Sequence, residues 1–502
     1  MAQSRSLLGC LAEHARLRPD SVALIMGAQR VTYADLCAMS LAAFRRIEDL
    51  GLPRDARVAV HATKSVRTVA LIVACLVARR PFLLPSTELG ASSLATLLSQ
   101  AGCADVLTVE STDGVPGDRV HHIDTTPMDL TVAESGEPRD GSDDDISFLL
   151  TTSGSTGLPK VVPLSFGAID RFTEWAARQF EIGPDTTVLN YAPFNFDLCL
   201  LDIRTTLRFG GTTVLVEPER STNGKYLAEL LRTNQVDIVQ SVPMLFRLLV
   251  DASRDNDSFS TVRHLILTGD KVPPRLLGEL PELFGNARLY NIYGCTETND
   301  SFLHEIDVAT DDAAALPIGR PLPGVDAVVV AEDGSTVLHG PATGELLVST
   351  PFQTTGYLGP GGTAKFVLFD ENPRTYFRSG DLVHRDAHGV FTLVGRNDFQ
   401  VKVRGTRVNL AEIEHVLLDH VRVLEAAVVG VPDDLAGLRI HAVVRGSYPE
   451  PLDIMALREH CRLRLPRAAL PAAIRIVDDP LPMTSTGKID RKVIIHELLN
   501  RS

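Results

Sequence analysis

The sequence contains no long uninterrupted run of apolar residues. Its most apolar helix candidate, residues 69–78, has about half the length that a membrane span requires and ends at Arg79 and Arg80. The first residues also lack an extended apolar stretch behind a basic start, so we expect no cleaved secretion signal. Both absences favour a cytoplasmic protein that does not enter a membrane.

Cysteine is also scarce. The seven cysteines are widely scattered, odd in number and form no Cys-x-x-Cys pair. Paired spacings are typical of disulfide frameworks and of structural zinc sites. The pattern therefore predicts a reducing compartment and no structural metal.

An excess of basic residues is missing as well. The formal net charge is −14, whereas nucleic-acid-binding proteins usually present basic surfaces. With 44% hydrophobic and 22% charged residues over 502 positions, the composition is that of an ordinary globular chain with enough length for more than one core. We expect no nucleic acid among its partners.

Short apolar runs alternate with helix-like stretches through the first two-thirds of the chain. Strand-like runs such as 57–61 and 212–216 are separated by helix-like stretches such as 65–78 and 198–208. This alternation predicts an α/β fold with doubly wound, parallel-type sheets. In such sheets ligands bind at the carboxyl ends of the strands.

The pattern changes twice towards the C-terminus. From 325 to 395 the runs are shorter and separated by glycine turns, which indicates a β-rich subdomain. Beyond Gly395, a helix-like stretch at 410–418 lies between short strands, which predicts a small α+β domain.

One stretch is too polar and too rich in glycine for a core. It runs from Thr151 to Lys160, directly after a strand-like run at 146–150. Gly154 and Gly157 allow backbone amides to turn towards a ligand, and the hydroxyls and the lysine add donors. We interpret the stretch as a phosphate-binding loop, although it is not a Walker loop because no Gly-x-x-x-x-Gly-Lys-Ser/Thr is present.

This stretch resembles the phosphate loop of the adenylate-forming superfamily, which includes acyl-CoA synthetases, luciferases and the adenylation domains of nonribosomal peptide synthetases. Four further segments follow in the family's order, at 291–297 (Asn-Ile-Tyr-Gly-Cys-Thr-Glu), 379–381 (Ser-Gly-Asp), 395–405 and 485–490 (Ser-Thr-Gly-Lys-Ile-Asp). The resemblance implies an ATP-dependent, AMP-forming acid–thiol ligase. It also implies an adenylation core at 1–397 and a mobile C-terminal domain at 398–502, with Asp398 as the hinge.

The resemblance also implies individual roles. Adenylation joins a carboxylate to the α-phosphate of ATP, so the site must hold several negative charges close together. Thr296 would bind the α-phosphate, Glu297 would hold Mg²⁺, and Lys488 would act as the catalytic lysine. Tyr293 would stack on adenine, and Asp381 would bind both ribose hydroxyls. The full set of implied ATP-binding residues is Thr152, Ser153, Gly154, Ser155, Thr156, Gly157, Lys160, Asn291, Tyr293, Gly294, Asp381 and Arg396.

Members of this superfamily use the small domain twice, first to bring the lysine to the acyl-adenylate site. The domain then rotates so that the strand carrying Lys402 faces the site and admits a thiol. The resemblance implies that Lys402 and Gly405 line the path of the pantetheine arm.

Asp197 indicates an amino-acid substrate. The segment Asn195-Phe-Asp-Leu-Cys199 resembles the one in which amino-acid-activating members bind the α-ammonium group, and a buried carboxylate needs a cation as its partner. A small amino acid such as alanine or serine fits the implied pocket, while Asp300 leaves open a diamino or β-amino acid. The register of Ser241 and Thr268 is open by one residue. The implied lining is Asp197, Leu198, Leu201, Ser241, Ile266, Thr268, Ile292, Asp300 and Ser301.

The acceptor of the activated acid is predicted to be a separate molecule, because no carrier-like segment follows the lysine motif before Ser502. An acidic acyl or peptidyl carrier protein would complement a basic cluster in the C-terminal domain. That cluster consists of Arg458, Arg462, Arg464 and Arg467.

Two other readings remain open. One is an acyl-CoA synthetase that joins a non-amino carboxylic acid to free coenzyme A. The other is a non-catalytic homologue that binds nucleotide or a partner, against which the presence of Lys488, Glu297 and Asp381 argues.

Overall fold

The computed structural model describes the whole chain apart from residues 1–6, 88, 114, 116, 118, 128–140, 153–159, 254–257, 313–314, 360–362, 364, 370–371, 397–399, 434–436, 447–451, 483–488 and 500–502. The described part is a mixed α/β protein built from five sheets. The predicted fold class is confirmed, with a large N-terminal domain and a small C-terminal domain. The exact domain boundary stays a prediction, because Asp398 lies outside the described residues.

The first segment alternates helices and strands. Its elements are α1 (Leu7–Leu17), β1 (Val22–Met26), β2 (Gln29–Thr32), α2 (Tyr33–Asp49), β3 (Arg57–Val60), α3 (Val66–Val77), β4 (Phe82–Leu83), α4 (Ala91–Ala101), β5 (Cys103–Thr108), β6 (Arg119–His122) and β7 (Ile146–Thr152).

The second segment continues the alternation and inserts a π-helical turn (Leu200–Thr205) before a short α-helix. Its other elements are β8 (Lys160–Ser165), α5 (Phe166–Gln179), β9 (Thr187–Asn190), α6 (Thr206–Phe209), β10 (Thr212–Leu215), a 3₁₀ turn (Pro218–Arg220), α7 (Gly224–Thr233), β11 (Ile238–Ser241), α8 (Pro243–Ala252), β12 (His264–Thr268), α9 (Pro274–Leu283), β13 (Arg288–Cys295) and β14 (Asn299–Ile306).

The third segment is made of strands, as the glycine turns predicted. These are β15 (Arg320–Pro321), β16 (Asp326–Val330), β17 (Thr336–Val337), β18 (Ala342–Ser349), β19 (Phe366–Phe369), β20 (Asn372–Arg385) and β21 (Phe391–Arg396).

The last segment forms the small domain. Its elements are β22 (Gln400–Val403), β23 (Thr406–Asn409), α10 (Leu410–Leu418), β24 (Val423–Asp433), β25 (Gly437–Gly446), α11 (Ile454–Arg462), a 3₁₀ turn (Arg467–Ala469), β26 (Ala473–Val477) and α12 (Arg491–Leu499).

Two large sheets form the body of the N-terminal domain. The first has the order β15-β14-β13-β12-β11-β9-β10-β1-β2, with parallel pairing from β13 through to β1. The second has the order β6-β5-β3-β4-β7-β8 and is parallel except for the pair β7–β8. The predicted doubly wound, parallel-type architecture is therefore present.

The other sheets are smaller. Strands β16 to β21 form an antiparallel sheet, β22 and β23 form a hairpin, and β24, β25 and β26 form the three-stranded sheet of the small domain. The small domain has apolar clusters of its own, around Ile413 and around Val429.

The nine-stranded sheet is buried on both faces because its side chains alternate between two apolar clusters. Ile238, Ile266 and Ile292 lie in the cluster shared with the six-stranded sheet. Val239 and Leu265 lie in the cluster covered by helices α7, α8 and α9. Successive residues of a strand point to opposite faces, so this register fixes which side chains can reach the carboxyl ends.

Local sequence explains several element boundaries. Thr32 caps α2 and exchanges hydrogen bonds with Asp35 in a capping box, and the Ser65 hydroxyl accepts from the amide of Thr68 at the start of α3. Pro243 begins α8 directly after β11, at a position where its missing N–H costs nothing. Among the described helices, none combines the length and apolar character needed to cross a membrane.

Candidate active site

The phosphate-loop stretch connects two paired strands. Thr152, at the end of β7, pairs with Lys160, at the start of β8. Ser153, Gly154, Ser155, Thr156 and Gly157 lie outside the described residues, so their phosphate role stays a prediction.

Glu297 lies beside this loop. Its carboxylate is 1% exposed and accepts hydrogen bonds at Oε1 from the Tyr357 hydroxyl at 2.6 Å and from Thr152 Oγ1 at 3.4 Å. The ammonium of Lys160 stands 4.7 Å from the centre of the Tyr357 ring. The structure thus brings the Thr-Glu segment to the base of the loop, 145 residues away in sequence.

Tyr293 and Asp381 form a second contact between distant motifs. The Tyr293 hydroxyl donates to Asp381 Oδ2, and the amide of Asp381 donates to Ser379 Oγ at 3.0 Å. Burial, followed by the charge of Asp381, raises the pKa of Tyr293 well above its ordinary value. The phenol therefore stays a donor, and it occupies a carboxylate oxygen that was predicted for ribose.

The neighbouring residues shape this part of the site. Asn291 donates from Nδ2 to the carbonyl of Pro317 at 2.7 Å, which anchors β13. Gly294 lies at a bulge between β13 and β14, where an added Cβ would stand 2.4 Å from the carbonyl oxygen of Asn299. Arg396 ends β21 and pairs in register with Asp381.

Asp197 lies in the loop between β9 and the π-helical turn. Its half-buried carboxylate accepts a hydrogen bond from the Thr296 side chain and feels the charge of Lys402. Burial is the main cause that raises the pKa of Asp197. The structure therefore joins the predicted acid-binding and phosphate-binding residues in one place.

Aliphatic side chains form a wall on the face of the nine-stranded sheet that packs towards the six-stranded sheet. Leu201, Ile266 and Ile292 belong to one buried cluster, and Thr268, the last residue of β12, pairs with Ile292. Leu198 is half-buried. Their role as lining of the acid pocket stays a prediction.

Ser241 requires a correction. Its register partner is Leu267, which packs on the helix-covered face, whereas Gln240 pairs with Ile266. Paired residues of adjacent strands point to the same face. Gln240 therefore replaces Ser241 in the predicted lining, and Ser241 Oγ is buried without a hydrogen-bond partner among the described residues.

Ser301 is also turned to internal contacts. Its hydroxyl lies 3.1 Å from Thr298 Oγ1 and donates to the carbonyl of Asn299 at 3.0 Å. Ser301 is fully buried, and its place in the lining of the pocket stays a prediction.

Asp300 is half-buried on β14, opposite Gly294. Burial, and then the charge of Asp197, raises the pKa of Asp300 to about 8. Among the described residues, none forms a hydrogen bond or a salt bridge with this carboxyl group.

A buried polar network that sequence reasoning missed supports the pocket. Asp202 accepts from Asn190 Nδ2 at 3.1 Å and from Gln240 Nε2 at 3.4 Å, and Gln240 also donates to the carbonyl of Leu198 at 3.2 Å. Lys64 donates to the carbonyls of Asn190 and Tyr191 at 3.2 and 3.0 Å. The sequence signal for this network was Asp202, a charged residue inside the otherwise apolar stretch 200–203.

Burial governs the charges of this network. It raises the pKa of Asp202 well above its ordinary value and lowers the pKa of Lys64 to about 8, while the two opposite charges partly offset both effects. Gln240 and Asn190 supply the hydrogen bonds that a buried carboxyl group requires.

The β22–β23 hairpin of the small domain faces the site. Lys402 holds its ammonium 6.0 Å from the centre of the Tyr293 ring. A Cβ on Gly405 would stand 2.2 Å from Val242 Cγ1, so only glycine fits this approach. Asp398 and Lys488 lie outside the described residues, and their hinge and catalytic roles stay predictions.

The predicted basic cluster is exposed in all four members. Arg462 is bound by both oxygens of Glu459 at 2.8 and 2.9 Å, and Arg464 donates to the carbonyl of His460 at 3.2 Å. Arg458 lies on α11, and Arg467 starts the 3₁₀ turn after it.

Comparison with known proteins gives two family matches. The model of the AMP-binding enzyme family matches residues 11–358, and that of the AMP-binding enzyme C-terminal domain matches residues 412–488. A D-alanine--D-alanyl carrier protein ligase from Bacillus licheniformis is 27% identical and covers 98% of this chain and 99% of its own. An L-proline--[L-prolyl-carrier protein] ligase from Streptomyces coelicolor is 32% identical, with 95% and 93% covered.

The fold is also shared with solved structures. An adenylation domain from Vibrio cholerae, solved in complex with glycyl-adenosine-5'-phosphate, superposes with a TM-score of 0.85 at 20% identity and covers 100% of this chain and 98% of its own. The fold and the matches define an adenylate-forming ligase, an enzyme that uses ATP and releases AMP. Within that class, the chain belongs to the AMP-binding enzyme family.

Proposed function

We propose that this enzyme activates a small amino acid as its aminoacyl-AMP and transfers it to the phosphopantetheine thiol of a separate carrier protein. The observation that carries the proposal is the Asp197 carboxylate, which is half-buried and accepts a hydrogen bond from the Thr296 side chain. A carboxylate in such surroundings needs a cation, and the α-ammonium group of an amino acid supplies one. The carrier protein ligases among the relatives support this assignment.

In the first half-reaction an oxygen of the substrate carboxylate attacks the α-phosphorus of ATP, and pyrophosphate leaves. The Thr296 hydroxyl, which also reaches Asp197, would bind the α-phosphate next to the held substrate. Lys160 and the loop before it would hold the outer phosphates, and Lys488 would stabilise the charge that develops at the reacting oxygens. Positioning two anions within bonding distance is the main task of these groups.

Glu297 fits the predicted Mg²⁺. Its carboxylate is buried and fixed by Tyr357 and Thr152 at the base of the phosphate loop, and Mg²⁺ is commonly held by one or two carboxylates together with substrate phosphates. When bound, the ion would neutralise phosphate charge.

The nucleoside would bind between Tyr293 and Asp381. Two carboxylate oxygens suit the vicinal ribose hydroxyls, and the Tyr293 ring offers a face for adenine. Arg396, next to Asp381 in the sheet, would add a ribose or phosphate contact. Ribose must then compete with the Tyr293 hydroxyl for Asp381 Oδ2.

In the second half-reaction the thiol sulfur attacks the carbonyl carbon of the mixed anhydride. AMP leaves, the thiol loses its proton to solvent, and a thioester remains. The hairpin that carries Lys402 and Gly405 would border the path of the thiol, since it already lies against Tyr293 and Val242.

The carrier protein would dock on the basic cluster of the small domain. Its acidic surface complements exposed arginines. We expect Arg458 and Arg464 to contribute more than Arg462, whose charge is already paired with Glu459. A cytoplasmic location is part of the proposal and rests on the cysteine pattern.

Asp300 favours a narrower substrate class, an amino acid with a second amino group. A carboxyl group that is half-buried near Asp197 and has no cationic partner among the described residues can hold a second ammonium group. A short diamino acid would then place its α-ammonium at Asp197 and its second ammonium at Asp300. Alanine or serine would leave Asp300 protonated and unused.

ATP–pyrophosphate exchange tests the substrate assignment. The panel should contain alanine, serine, β-alanine, 2,3-diaminopropionate and 2,4-diaminobutyrate, together with fatty and aryl acids. We expect exchange only with amino acids, and the strongest signal with a diamino acid. Exchange confined to non-amino acids would support the acyl-CoA synthetase reading, and exchange with no acid would support the non-catalytic reading.

A further inference from the structure

The hairpin β22–β23 turns sharply at Arg404 and Gly405. Both residues have positive φ, +50° and +80°, as a two-residue hairpin turn of the mirror-image type requires. The tip of this turn reaches the N-terminal domain at the loops that follow β11 and β12. Gly405 Cα stands 3.9 Å from where a Cβ on Gly269 would be.

Asp270 is the residue of the N-terminal domain that receives this tip. Its carboxylate accepts hydrogen bonds from the amide of Lys271, at 2.8 Å, and from the amide of Gly405. It also feels the positive charge of Lys402 on the same hairpin. A carboxylate that accepts from backbone amides and lies near a cation forms strong, charge-assisted contacts.

A second segment of the small domain approaches the same carboxylate. A Cβ on Gly437, at the start of β25, would stand 3.6 Å from Asp270 Oδ2. Arg404 and Gly437 line a narrow cleft together with Asp270, Val242 and Pro243. Asp270 is therefore covered by two separate turns of the small domain.

In this structure the hairpin faces the site, and the contacts with Asp270 belong to that arrangement. Under the proposed function, this arrangement serves thioester formation, because adenylate formation requires Lys488 at the site in place of the hairpin. We propose that Asp270 is a positioning residue that holds the small domain in its thioester-forming arrangement through the amide of Gly405. This inference rests on the proposed function and extends it to the switch between its two steps.

The two half-reactions can be measured separately in the full-length protein. ATP–pyrophosphate exchange, with the amino acid that gives the strongest exchange, reports adenylate formation, and transfer to free pantetheine reports thioester formation. For Asp270→Ala we expect exchange to stay within about twofold and thioester formation to fall roughly 10- to 100-fold, the effect of losing hydrogen bonds to a charged acceptor. Asp270→Asn keeps one acceptor oxygen and should restore part of the thioester rate.

Asp333→Ala is the matched control. Asp333 also accepts a backbone amide hydrogen bond, from Ser335 at 2.8 Å, but within an exposed turn of the β-rich sheet. We expect both half-reactions of this variant to match the unchanged protein. Equal loss of both half-reactions in Asp270→Ala and Asp270→Asn, or an unchanged thioester rate, would overturn the positioning role. Failure of the proposed function is distinguishable, because the unchanged enzyme would then show no exchange with any amino acid.

Discussion

The Tyr293 hydroxyl donates a hydrogen bond to Asp381 Oδ2 across 88 residues of sequence, and both side chains are buried. The contact fixes the carboxylate predicted for ribose before any nucleotide is present. It also links β13, which directly precedes the Thr-Glu segment, to β20 in the β-rich sheet. Under the proposed ribose role of Asp381, nucleotide binding replaces this internal contact, and the exchange can be measured.

Tyr293→Phe should lower the free energy of unfolding by about 1.5–3 kcal/mol, the range for a hydrogen bond to a charged group. The ring for adenine stacking remains, and Asp381 no longer has an internal phenol competing with ribose. We therefore expect ATP to raise the thermal midpoint more in this variant than in the unchanged protein. An equal or smaller rise, measured by scanning fluorimetry, would show that the phenol does not compete with ribose.

Asp197→Asn should weaken amino-acid binding selectively. Loss of the charge opposite the α-ammonium is expected to raise the KM for the amino acid about 10- to 100-fold or more, because a charged hydrogen bond is worth about 1.5–3 kcal/mol. The KM for ATP should change little. Exchange kinetics with each substrate varied in turn make the measurement, and an unchanged amino-acid KM would contradict the ammonium assignment.

The register of β11 separates Gln240 from its neighbour Ser241. Gln240→Leu should disturb substrate selection and loosen the loop at Leu198, because Gln240 donates to the Leu198 carbonyl and to Asp202. Ser241→Ala should leave the exchange kinetics unchanged. It should also stabilise the protein slightly, by up to about 1 kcal/mol, because the buried Ser241 hydroxyl has no hydrogen-bond partner among the described residues. The opposite ranking in the exchange panel would restore Ser241 to the lining.

Asp300 predicts a pH dependence that distinguishes substrates. With a pKa of about 8, its carboxyl group is mostly protonated at neutral pH, and a second ammonium would bind its ionised form. Below pH 8, protons compete with the second ammonium group for the Asp300 carboxylate. The KM for a diamino acid should therefore fall as the pH rises from 6.5 to 8, by at most about tenfold per pH unit. Asp300→Asn should remove this slope. Alanine, which does not use Asp300, should show the same profile with both proteins.

The sequence predicted much of the fold because its signals are local. The range 410–418 is α10 in the structure, and the strand-like run at 212–216 contains β10. Motif residues that lie more than 80 positions apart, such as Tyr293 and Asp381, were assigned to one site by resemblance, and the chain places them in contact.

Two features escaped prediction for a physical reason. The stretch 198–208 was interpreted as a single helix, but its apolar spacing does not distinguish a π-helical turn at 200–205 from an α-helix. Ser241 was carried over from the resemblance with its register open by one residue, and the pairing of β11 with β12 favours Gln240. Both depend on contacts with neighbouring strands that a single sequence does not show.

The π-helical turn at Leu200–Thr205 has a consequence for engineering this enzyme. A π turn holds one residue more than an α turn, and each residue of a helix rotates the next by about 100°. Deleting a single residue there would restore an ordinary helix, but it would swing Asp202 away from Asn190 and Gln240 or shift the wall at Leu201 relative to Asp197. Chimeras that exchange specificity segments between relatives must therefore match the residue count of this turn as well as the identities of the lining residues.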